Sequence, residues 1–173
     1  MNRAPRRGGA RARRKRVSNV AKKEQLLEER RPSVDELREI GLFGGLDDDI
    51  LEELSKTLPL DIVDAQSLIY AEGEHGRSIY VVLEGELAVS KRGISLGTRG
   101  PGEWVGAMSV IDVMPRHVRV ETSVPSVLVR VRVSDLDVLY RRNVKAYALL
   151  VMNIARQLSR ELRTANERLL EAL

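Results

Sequence analysis

Between residues 60 and 133 the sequence is a succession of short β-branched runs that glycine-bearing turns separate. Short strands at a spacing of about 8–12 residues are typical of an antiparallel barrel or sandwich. In the run VLVRVRV, the alternation puts one set of side chains on one face (Val127, Val129, Val131, Val133) and another on the opposite face (Arg130, Arg132). This alternation predicts a half-buried strand and places the strand-forming part of the chain in its middle.

Helical patterns lie on both sides of the strand-rich region. Before it, Ser33 and Glu36 have the spacing of a capping box, and Asp47 precedes an amphipathic run that Pro59 ends. After it, Ser134 with Asp137 predicts the start of a short helix, and a long helix follows from about Val144. The sequence therefore predicts an α+β fold, in which an antiparallel β-roll (a jelly-roll-like barrel) over 60–133 lies between N-terminal helices and C-terminal helices over 134–173.

The long C-terminal helix has an apolar stripe of coiled-coil type. The stripe advances in steps of three or four residues with one irregular step, and the positions predicted to form a dimer seam are Tyr147, Val151, Ile154, Leu158 and Leu162. A helix of this length is about 40 Å long, more than a small β-roll covers. Two hypotheses follow: the helix packs on its own domain, or it pairs with a second copy in a homodimer.

Charge divides the chain sharply. Ten of the 29 Lys and Arg residues lie in residues 1–23, which contain no acid, so the remainder has 19 basic against 25 acidic residues. The first 23 residues are poor in large apolar side chains, which predicts a disordered basic tail, and residues 24–32 are predicted to be a helical linker. The cations predicted to contact a nucleic acid or an acidic partner are Arg6, Arg7, Arg11, Arg13, Arg14, Lys15 and Arg16.

Composition argues against several classes of protein. There is no cysteine, so thiolate metal sites and cysteine nucleophiles are excluded. Glu72, Glu74 and His75 could suggest a metal site, but a charged turn is the favoured interpretation, and no metal is predicted. No nucleophile–base set or phosphate-binding glycine loop appears, so we expect no enzyme. Without a run of about 20 apolar residues or a secretory signal, a cytoplasmic location is the expectation.

Three motifs occur in an order that resembles the cyclic nucleotide-binding domain family. They are LREIGLFGGLDDDILEELS, then LIYAEGEHGRSIYVVLEGELAV with turns at Gly73 and Gly85, then GPGEWVGAMSVIDVMPRHVRV. The third resembles the family's phosphate-binding cassette, and the resemblance covers residues 34–173. The chain resembles both the activator type (CAP/CRP-like) and the protein kinase A regulatory subunit type of this family. This resemblance implies a non-enzymatic sensor whose ligand is a cyclic nucleotide.

The resemblance assigns roles within the cassette. Arg116 matches the arginine that pairs with the cyclic phosphate, and the short helix that begins after Gly106, with Met108 and Ser109, matches the segment whose backbone N–H groups hold the anion. Two positions depart from the family pattern. Ala107 stands where the family has the glutamate that binds the ribose hydroxyl, and His117-Val118 replaces a pair of small or hydroxyl-bearing residues.

These departures leave the ligand open. A cyclic mononucleotide would lose one hydrogen bond at Ala107, whereas a cyclic dinucleotide or another anionic metabolite would not need it. Val118 removes a hydroxyl, and His117 faces either the pocket or the solvent. Trp104 is expected in the core or at the rim, with stacking on a base as the alternative, and Glu103 is the nearest carboxylate to the missing one.

Two functions are consistent with the sequence. The first is a sensor, which, since no DNA-reading or catalytic segment is evident, is expected to signal through its dimer seam, its tail or a separate partner. The second is a ligand-free dimeric scaffold or adaptor that uses the fold for protein interaction. The basic tail has no aromatic residues for base stacking, so it is expected to bind nucleic acid without sequence preference, or else an acidic protein or an anionic membrane surface.

Overall fold

The computed structural model describes residues 30–171. The chain divides into two units, Met1–Arg30 and Arg31–Leu173, and every element named below lies in the second. The basic tail predicted at 1–23 and most of the helical linker predicted at 24–32 lie outside the described residues.

The described chain opens with three short helical elements: α1 (Val34–Glu39), a 3₁₀ turn (Gly41–Phe43) and α2 (Asp48–Thr57). The predicted capping box is present, because Ser33 Oγ accepts a hydrogen bond from the Glu36 backbone N–H and Glu36 accepts one from the Ser33 backbone N–H at 2.7 Å. Asp47 is the N-cap of α2, where its backbone carbonyl accepts from the N–H groups of Ile50 and Leu51 and its side chain makes no capping hydrogen bond.

Within residues 30–171, eight strands form two antiparallel four-stranded sheets. In chain order they are β1 (Leu60–Val63), β2 (Leu68–Tyr70), β3 (Ser78–Glu84), β4 (Leu87–Lys91), β5 (Ile94–Arg99), β6 (Trp104–Val105), β7 (Arg119–Thr122) and β8 (Ser126–Arg132). The first sheet has the order β1-β8-β3-β6 and the second β2-β7-β4-β5. A short helix, α3 (Ala107–Ile111), connects β6 to β7 by way of an irregular loop. The predicted antiparallel β-roll and α+β class are confirmed.

Alternation along the strands separates two hydrophobic cores. On β8, Val127, Val129 and Val131 belong to a core shared with the helices. Leu128 belongs to a second core, together with Val82 of β3 in the same sheet and Val120 of β7 in the other sheet. The predicted face of β8 is therefore correct up to Val131. Fully burying each such aliphatic side chain contributes about 1.5–3 kcal/mol to folding.

Two C-terminal helices follow β8: α4 (Val133–Arg142) and α5 (Val144–Glu171). The cap of α4 lies earlier than predicted, because Asp135, not Asp137, accepts a hydrogen bond at 2.8 Å from the backbone N–H of Arg132. Val133 consequently begins the helix rather than ending the strand. Within residues 30–171 no helix combines the length and the apolar character that a membrane crossing needs.

The first half of α5 packs into the domain itself. Ala146, Leu150 and Ile154 lie in the core shared with the helices, and Ile154 is 1% exposed. The predicted seam is therefore wrong at Ile154, because the periodicity of the stripe cannot separate a face buried by the chain's own core from one buried by a second copy. Tyr147, Val151 and Leu158 are half-buried, whereas Leu162 is 62% exposed.

A buried asparagine joins α5 to the N-terminal elements. Asn153 Nδ2 donates to the carbonyl oxygens of Leu42 at 3.1 Å and Gly44 at 2.9 Å, and its Oδ1 accepts from Arg156 at 2.8 Å. We call these four residues the Asn153 junction. Every polar atom of this buried amide has a partner across the junction, which is how buried polar groups stabilise a fold.

Candidate ligand-binding site

The backbone of Arg116 is fixed against the turn that connects β2 to β3. Its N–H donates to the carbonyl of Glu74 at 2.8 Å, and its own carbonyl accepts from the N–H of Gly73 at 2.7 Å. Gly73 has a φ of +82°, a conformation that glycine adopts without strain. The turn and the segment before β7 are therefore joined by two backbone hydrogen bonds, and the side chain of Arg116 is directed inward from this pair.

The guanidinium of Arg116 donates three hydrogen bonds to neighbouring segments. Nη1 donates to the carbonyl of Gly106 at 2.8 Å and to Ser109 Oγ at 2.7 Å, and Nη2 donates to the carbonyl of Ser78 at 2.6 Å. The arginine thus links both ends of the segment 106–118, which we call the cassette, to the first residue of β3.

One tyrosine and two glycines enclose the same guanidinium. The Tyr70 ring lies under Arg116 with 4.2 Å between its centroid and Cζ, which is a cation–π distance. A Cβ added to Gly76 or Gly106 would lie closer than 3.0 Å to Arg116 side-chain atoms, so a larger residue at either position would displace the guanidinium. We call Arg116 with its neighbours (Tyr70, Gly76, Ser78, Gly106, Ser109) the Arg116 pocket.

The charge of Arg116 is not balanced within the described chain. The residue is 4% exposed, its Nε is buried with no hydrogen-bond partner, and no carboxylate among residues 30–171 forms an ion pair with it. A buried charge without a counter-ion is destabilising by several kcal/mol, to order of magnitude. Arginine remains protonated in proteins, so this site can bind an anion.

The tyrosine beside the arginine is strongly desolvated. Burial raises the pKa of Tyr70 to about 12, and the positive charges of Arg116 and Arg99 oppose that rise. Tyr70 therefore stays neutral over the physiological range and offers its ring face to the cation. Its ring also lies 6.2 Å from that of Tyr80 on β3.

The structure brings together only some of the predicted ligand residues. Gly106, Ser109 and Arg116 meet in the pocket as described above. The Ala107 side chain packs into the core shared with the helices and Val118 into the second core, at 4% and 7% exposure. Two of the departures from the family pattern, Ala107 and Val118, therefore serve the hydrophobic cores, whereas Met108 is 39% exposed.

His117 lies at the surface beside the pocket. Partial desolvation lowers the pKa of its imidazole below the ordinary value of 6.5, and the Lys91 cation lowers it further. The carboxylates of Asp112, Glu161 and Glu72 act in the opposite direction. His117 is thus neutral near pH 7.

The other candidates noted in the sequence have structural partners. Trp104 packs in the core shared with the helices, and Glu103 accepts a hydrogen bond at 2.8 Å from the Gly100 N–H within its own turn. Glu74 and Glu72 accept backbone N–H bonds from Ala71 and Arg92, both at 2.9 Å. Nowhere in residues 30–171 do three or more acidic or histidine side chains gather as metal ligands.

The tip of the cassette is apolar and exposed. Ile111, Val113 and Met114 are 49%, 82% and 59% exposed, and Val113 has a φ of +57°. A β-branched residue rarely adopts this left-handed conformation. The loop therefore carries local backbone strain next to the pocket.

Sequence reasoning did not find Tyr70, Gly76 or Ser78. Their contacts with Arg116 join β2, the β2–β3 turn and β3 to a segment about 40 residues further along the chain. No local pattern signals such contacts, since a tyrosine in a strand and a glycine in a turn have ordinary local explanations. Only the two sheets bring them together.

Comparison with known proteins agrees with this architecture. Residues 62–143 match the family model described as the cyclic nucleotide-binding domain. Over 107 residues the chain is 28% identical to a CRP-like cAMP-activated global transcriptional regulator of Mycobacterium tuberculosis, covering 58% of this chain and 45% of the relative. It is 29% identical to a cAMP-dependent protein kinase regulatory subunit of Yarrowia lipolytica over 87 residues, covering 50% of this chain and 23% of the relative.

Solved structures share the fold. A cyclic nucleotide-binding domain from Methylobacillus flagellatus superposes with a TM-score of 0.72 at 22% identity, covering 86% of this chain and 85% of that one. The catabolite activator protein of Thermus thermophilus gives a TM-score of 0.64 at 26% identity, covering 75% and 61%. Residues 62–143 are thus similar to the cyclic nucleotide-binding domain family, and the chain spans less than half the length of the curated relatives named above.

Proposed function

We propose that this chain is a non-enzymatic regulatory protein that senses an anionic ligand through Arg116, and that the ligand is a cyclic nucleotide. Relatives with the same type of domain are regulators, one of them named as cAMP-activated and another as a cAMP-dependent kinase regulatory subunit. The phosphodiester of a cyclic nucleotide is an anion that a buried arginine can bind, since guanidinium and phosphate oxygens pair by charge-assisted hydrogen bonds.

The observation that carries the proposal is the uncompensated charge in the Arg116 pocket. Gly76 and Gly106 leave the space that the guanidinium occupies, and Tyr70 packs against one of its faces. A fold that had lost all use for this cation would gain stability by replacing it with an apolar side chain of similar size. Its retention beside an unpaired Nε supports an anion as the missing partner.

Ala107 is expected to lower the affinity for ligands that carry a ribose hydroxyl. The methyl group offers no hydrogen-bond acceptor, and it is already packed in the core. A hydroxyl buried there without a partner would weaken binding by about 1–3 kcal/mol. We therefore expect a cyclic mononucleotide to bind weakly, and a cyclic dinucleotide, whose phosphodiester does not depend on that hydroxyl, to be the stronger candidate.

A ligand-free scaffold is the second candidate function, and one observation favours it. Arg116 already closes the cassette by its own bonds to Gly106, Ser109 and Ser78. In a scaffold, the only role of Arg116 would be to fix the cassette by these hydrogen bonds. The two functions differ in one measurable property, which is whether any anion changes the stability of the protein through Arg116.

We further propose that α5 forms a homodimer beyond its buried half. Leu162, Leu169 and Leu170 are 62%, 62% and 73% exposed, so the C-terminal part of the helix has apolar side chains that the domain does not cover. Pairing of two such helices would bury them. Tyr147, Val151 and Leu158 are half-buried and could contribute only at the edge of this contact.

Thermal unfolding in the presence of cyclic mononucleotides and cyclic dinucleotides tests the sensor. A ligand at 100 times its dissociation constant should stabilise the folded state by about 2.7 kcal/mol, a shift of several degrees. We expect the shift in the wild type, its loss in Arg116→Ala and its retention in Arg119→Ala, an exposed arginine control on β7. If no nucleotide at millimolar concentration shifts the wild type, the scaffold function is favoured.

A further inference from the structure

Three arginines form one row on the outer surface of α5. Arg156, Arg160 and Arg163 are all exposed, and their spacing of four and three residues places them on the same face of the helix. By the helical repeat, this face lies about a third of a turn from the exposed Leu162 and Leu169, and about a quarter of a turn from the buried positions. We call these three residues the arginine row, which neither the core nor the proposed homodimer contact covers.

The arginine row has no carboxylate partner among the residues that the structure describes. Arg156 Nη1 donates to Asn153 Oδ1 at 2.8 Å, and Arg163 Nη2 donates to Ser159 Oγ at 3.2 Å. Both acceptors are neutral, so these bonds orient the guanidiniums without balancing their charge. Arg160 makes no hydrogen bond or ion pair with any described residue.

The glutamates of α5 do not neutralise this charge. Glu161 accepts a hydrogen bond from Arg99 of β5 at 3.3 Å, and the exposed Glu167 forms no ion pair with a described residue. Like charges three and four residues apart repel one another and destabilise a helix. An anion that lies along the row would therefore be attracted by three guanidiniums and would relieve their repulsion.

The surface between the arginines is open. Two small side chains, Ala155 and Ser159, line an open groove together with the three arginines. Pockets for small molecules are concave and mostly apolar, so this groove is better suited to a polyanion that lies across it. None of the described residues that line it is a large apolar side chain that could insert into lipid, which argues against a membrane surface.

The length of the row matches the phosphate spacing of a nucleic acid. The helix rises about 10 Å from Arg156 to Arg163, and one strand of a DNA duplex has a phosphate about every 3.4 Å along its axis. About three phosphates therefore lie within reach of three arginines. Residues 1–23 contain ten further Lys and Arg residues, and a nucleic acid, unlike a short acidic segment of a protein, has enough charges for both sets.

We propose that the arginine row is a docking surface for the phosphate backbone of a DNA duplex, without sequence preference. The row has no aromatic side chain on which the bases of a single strand could stack. Residues 24–173 contain 25 acidic against 19 basic residues, so the acidic remainder of the domain repels the duplex and the row is the surface that attracts it. This inference is independent of the proposed function, because it uses no residue of the Arg116 pocket.

Fluorescence anisotropy of the full chain with a duplex of about 20 base pairs tests the proposal. Each phosphate contact adds about 0.9 to the slope of log affinity against log salt concentration. The variant Arg156→Gln/Arg160→Gln/Arg163→Gln should lower this slope by about 2.7. From about 50 to 200 mM salt, the wild type should thus lose about 40 times more affinity than the variant. A duplex of unrelated sequence should give the same result.

The matched control removes three exposed arginines elsewhere, in Arg92→Gln/Arg119→Gln/Arg141→Gln. It has the same net charge as the first variant, and its slope should equal that of the wild type. An equal fall in both variants would mean that the duplex responds to net charge alone. An unchanged slope in the arginine-row variant, or a wild type that binds no duplex, would refute the docking surface.

Arg160→Gln alone separates binding from stability, because this side chain makes no bond with a described residue. It should lower the slope by about 0.9 at an unchanged thermal midpoint. Poly-glutamate and phosphatidylserine vesicles serve as the competing anions, and tighter binding of either through the row would overturn a nucleic acid as the partner. The response to nucleotides through Arg116 should be the same in all these variants, so failure of this inference leaves the proposed function intact.

Discussion

The Asn153 junction and the Arg116 pocket each contain one buried polar side chain that connects distant segments, yet only the junction is complete. Asn153 is 7% exposed and has partners for both its amide nitrogen and its amide oxygen. Arg116 is 4% exposed, has three hydrogen bonds, and retains one unpaired donor and an unbalanced charge. Arg130 also has a buried Nε without a partner, but its charge pairs with Asp61 at 2.8 Å. The unbalanced charge, rather than the unpaired donor, therefore distinguishes the Arg116 pocket from a structural contact.

The largest effect is expected from closing the pocket. Gly106→Ala places a methyl group closer than 3.0 Å to Arg116 and to the Ser78 carbonyl, at a φ of +88°. We expect loss of nucleotide binding and a fall in the free energy of unfolding of about 2–5 kcal/mol from strain and overpacking together. Urea unfolding and calorimetry measure the two effects.

Gly102→Ala is the matched control for this substitution. Its φ of +83° imposes similar backbone strain, but no atom lies within 4 Å of the added Cβ. It should reduce stability by only about 1–2 kcal/mol and should leave binding intact. Equal loss of binding in both variants would mean that strain, rather than the enclosure of Arg116, controls the site.

The reverse pattern is expected at the junction. Asn153→Ala leaves the carbonyls of Leu42 and Gly44 buried without a donor, which should lower the free energy of unfolding by about 2–3 kcal/mol. The added nucleotide should still raise the thermal midpoint by the wild-type increment. Asn143→Ala, which removes the side-chain acceptor for the Ala146 N–H at the start of α5, should lower stability by about 1 kcal/mol.

A nucleotide response that disappears in a folded Asn153→Ala protein would break the comparison. The junction would then be part of the binding equilibrium and not a purely structural contact.

The far end of α5 offers a smaller, concentration-dependent effect. Leu162 and Leu169 are both 62% exposed, and glutamates at both positions should prevent two helices from pairing while the buried half keeps its packing. Light scattering should give twice 19.4 kDa for the wild type and 19.4 kDa for the double variant. A monomeric wild type would contradict the proposed homodimer.

The smallest effect is expected from pH at the edge of the pocket. Desolvation holds the pKa of His117 below 6.5 in the folded protein, so the unfolded chain takes up its proton first as pH falls. This residue therefore contributes stability above pH 6.5 that is lost as pH falls through 6.5 toward the folded pKa. His117→Gln should flatten the pH dependence of the unfolding midpoint in that window, and an unchanged slope would argue against desolvation of the ring.

The sequence predicts the architecture better than the site. Alternation in β8, the S-x-x-E cap before α1 and the start of α5 depend on local periodicity and local hydrogen bonds, and the structure contains all three. The position of Arg116 follows from the resemblance of one motif. Its enclosure by Tyr70 and Gly76 does not, because those contacts come from separate strands and turns.

The error at Ile154 has a related cause. A stripe at three- and four-residue steps is the same whether the covering surface is the chain's own core or a second copy. In α5 the stripe serves the core as far as Leu158 and is uncovered from Leu162 onward. Sequence periodicity gives the face of a helix but not its partner.

The most direct test of an anion site at Arg116 is the NMR signal of its own Nε–H group. Comparison of spectra from the wild type and Arg116→Lys identifies the signal in the free protein. On saturation with cyclic di-AMP or a cyclic mononucleotide, the signal should move downfield and its exchange with water should slow, because the buried donor gains an anionic acceptor. A signal that stays in place with every nucleotide at millimolar concentration would contradict an anion site at Arg116 and favour the ligand-free scaffold.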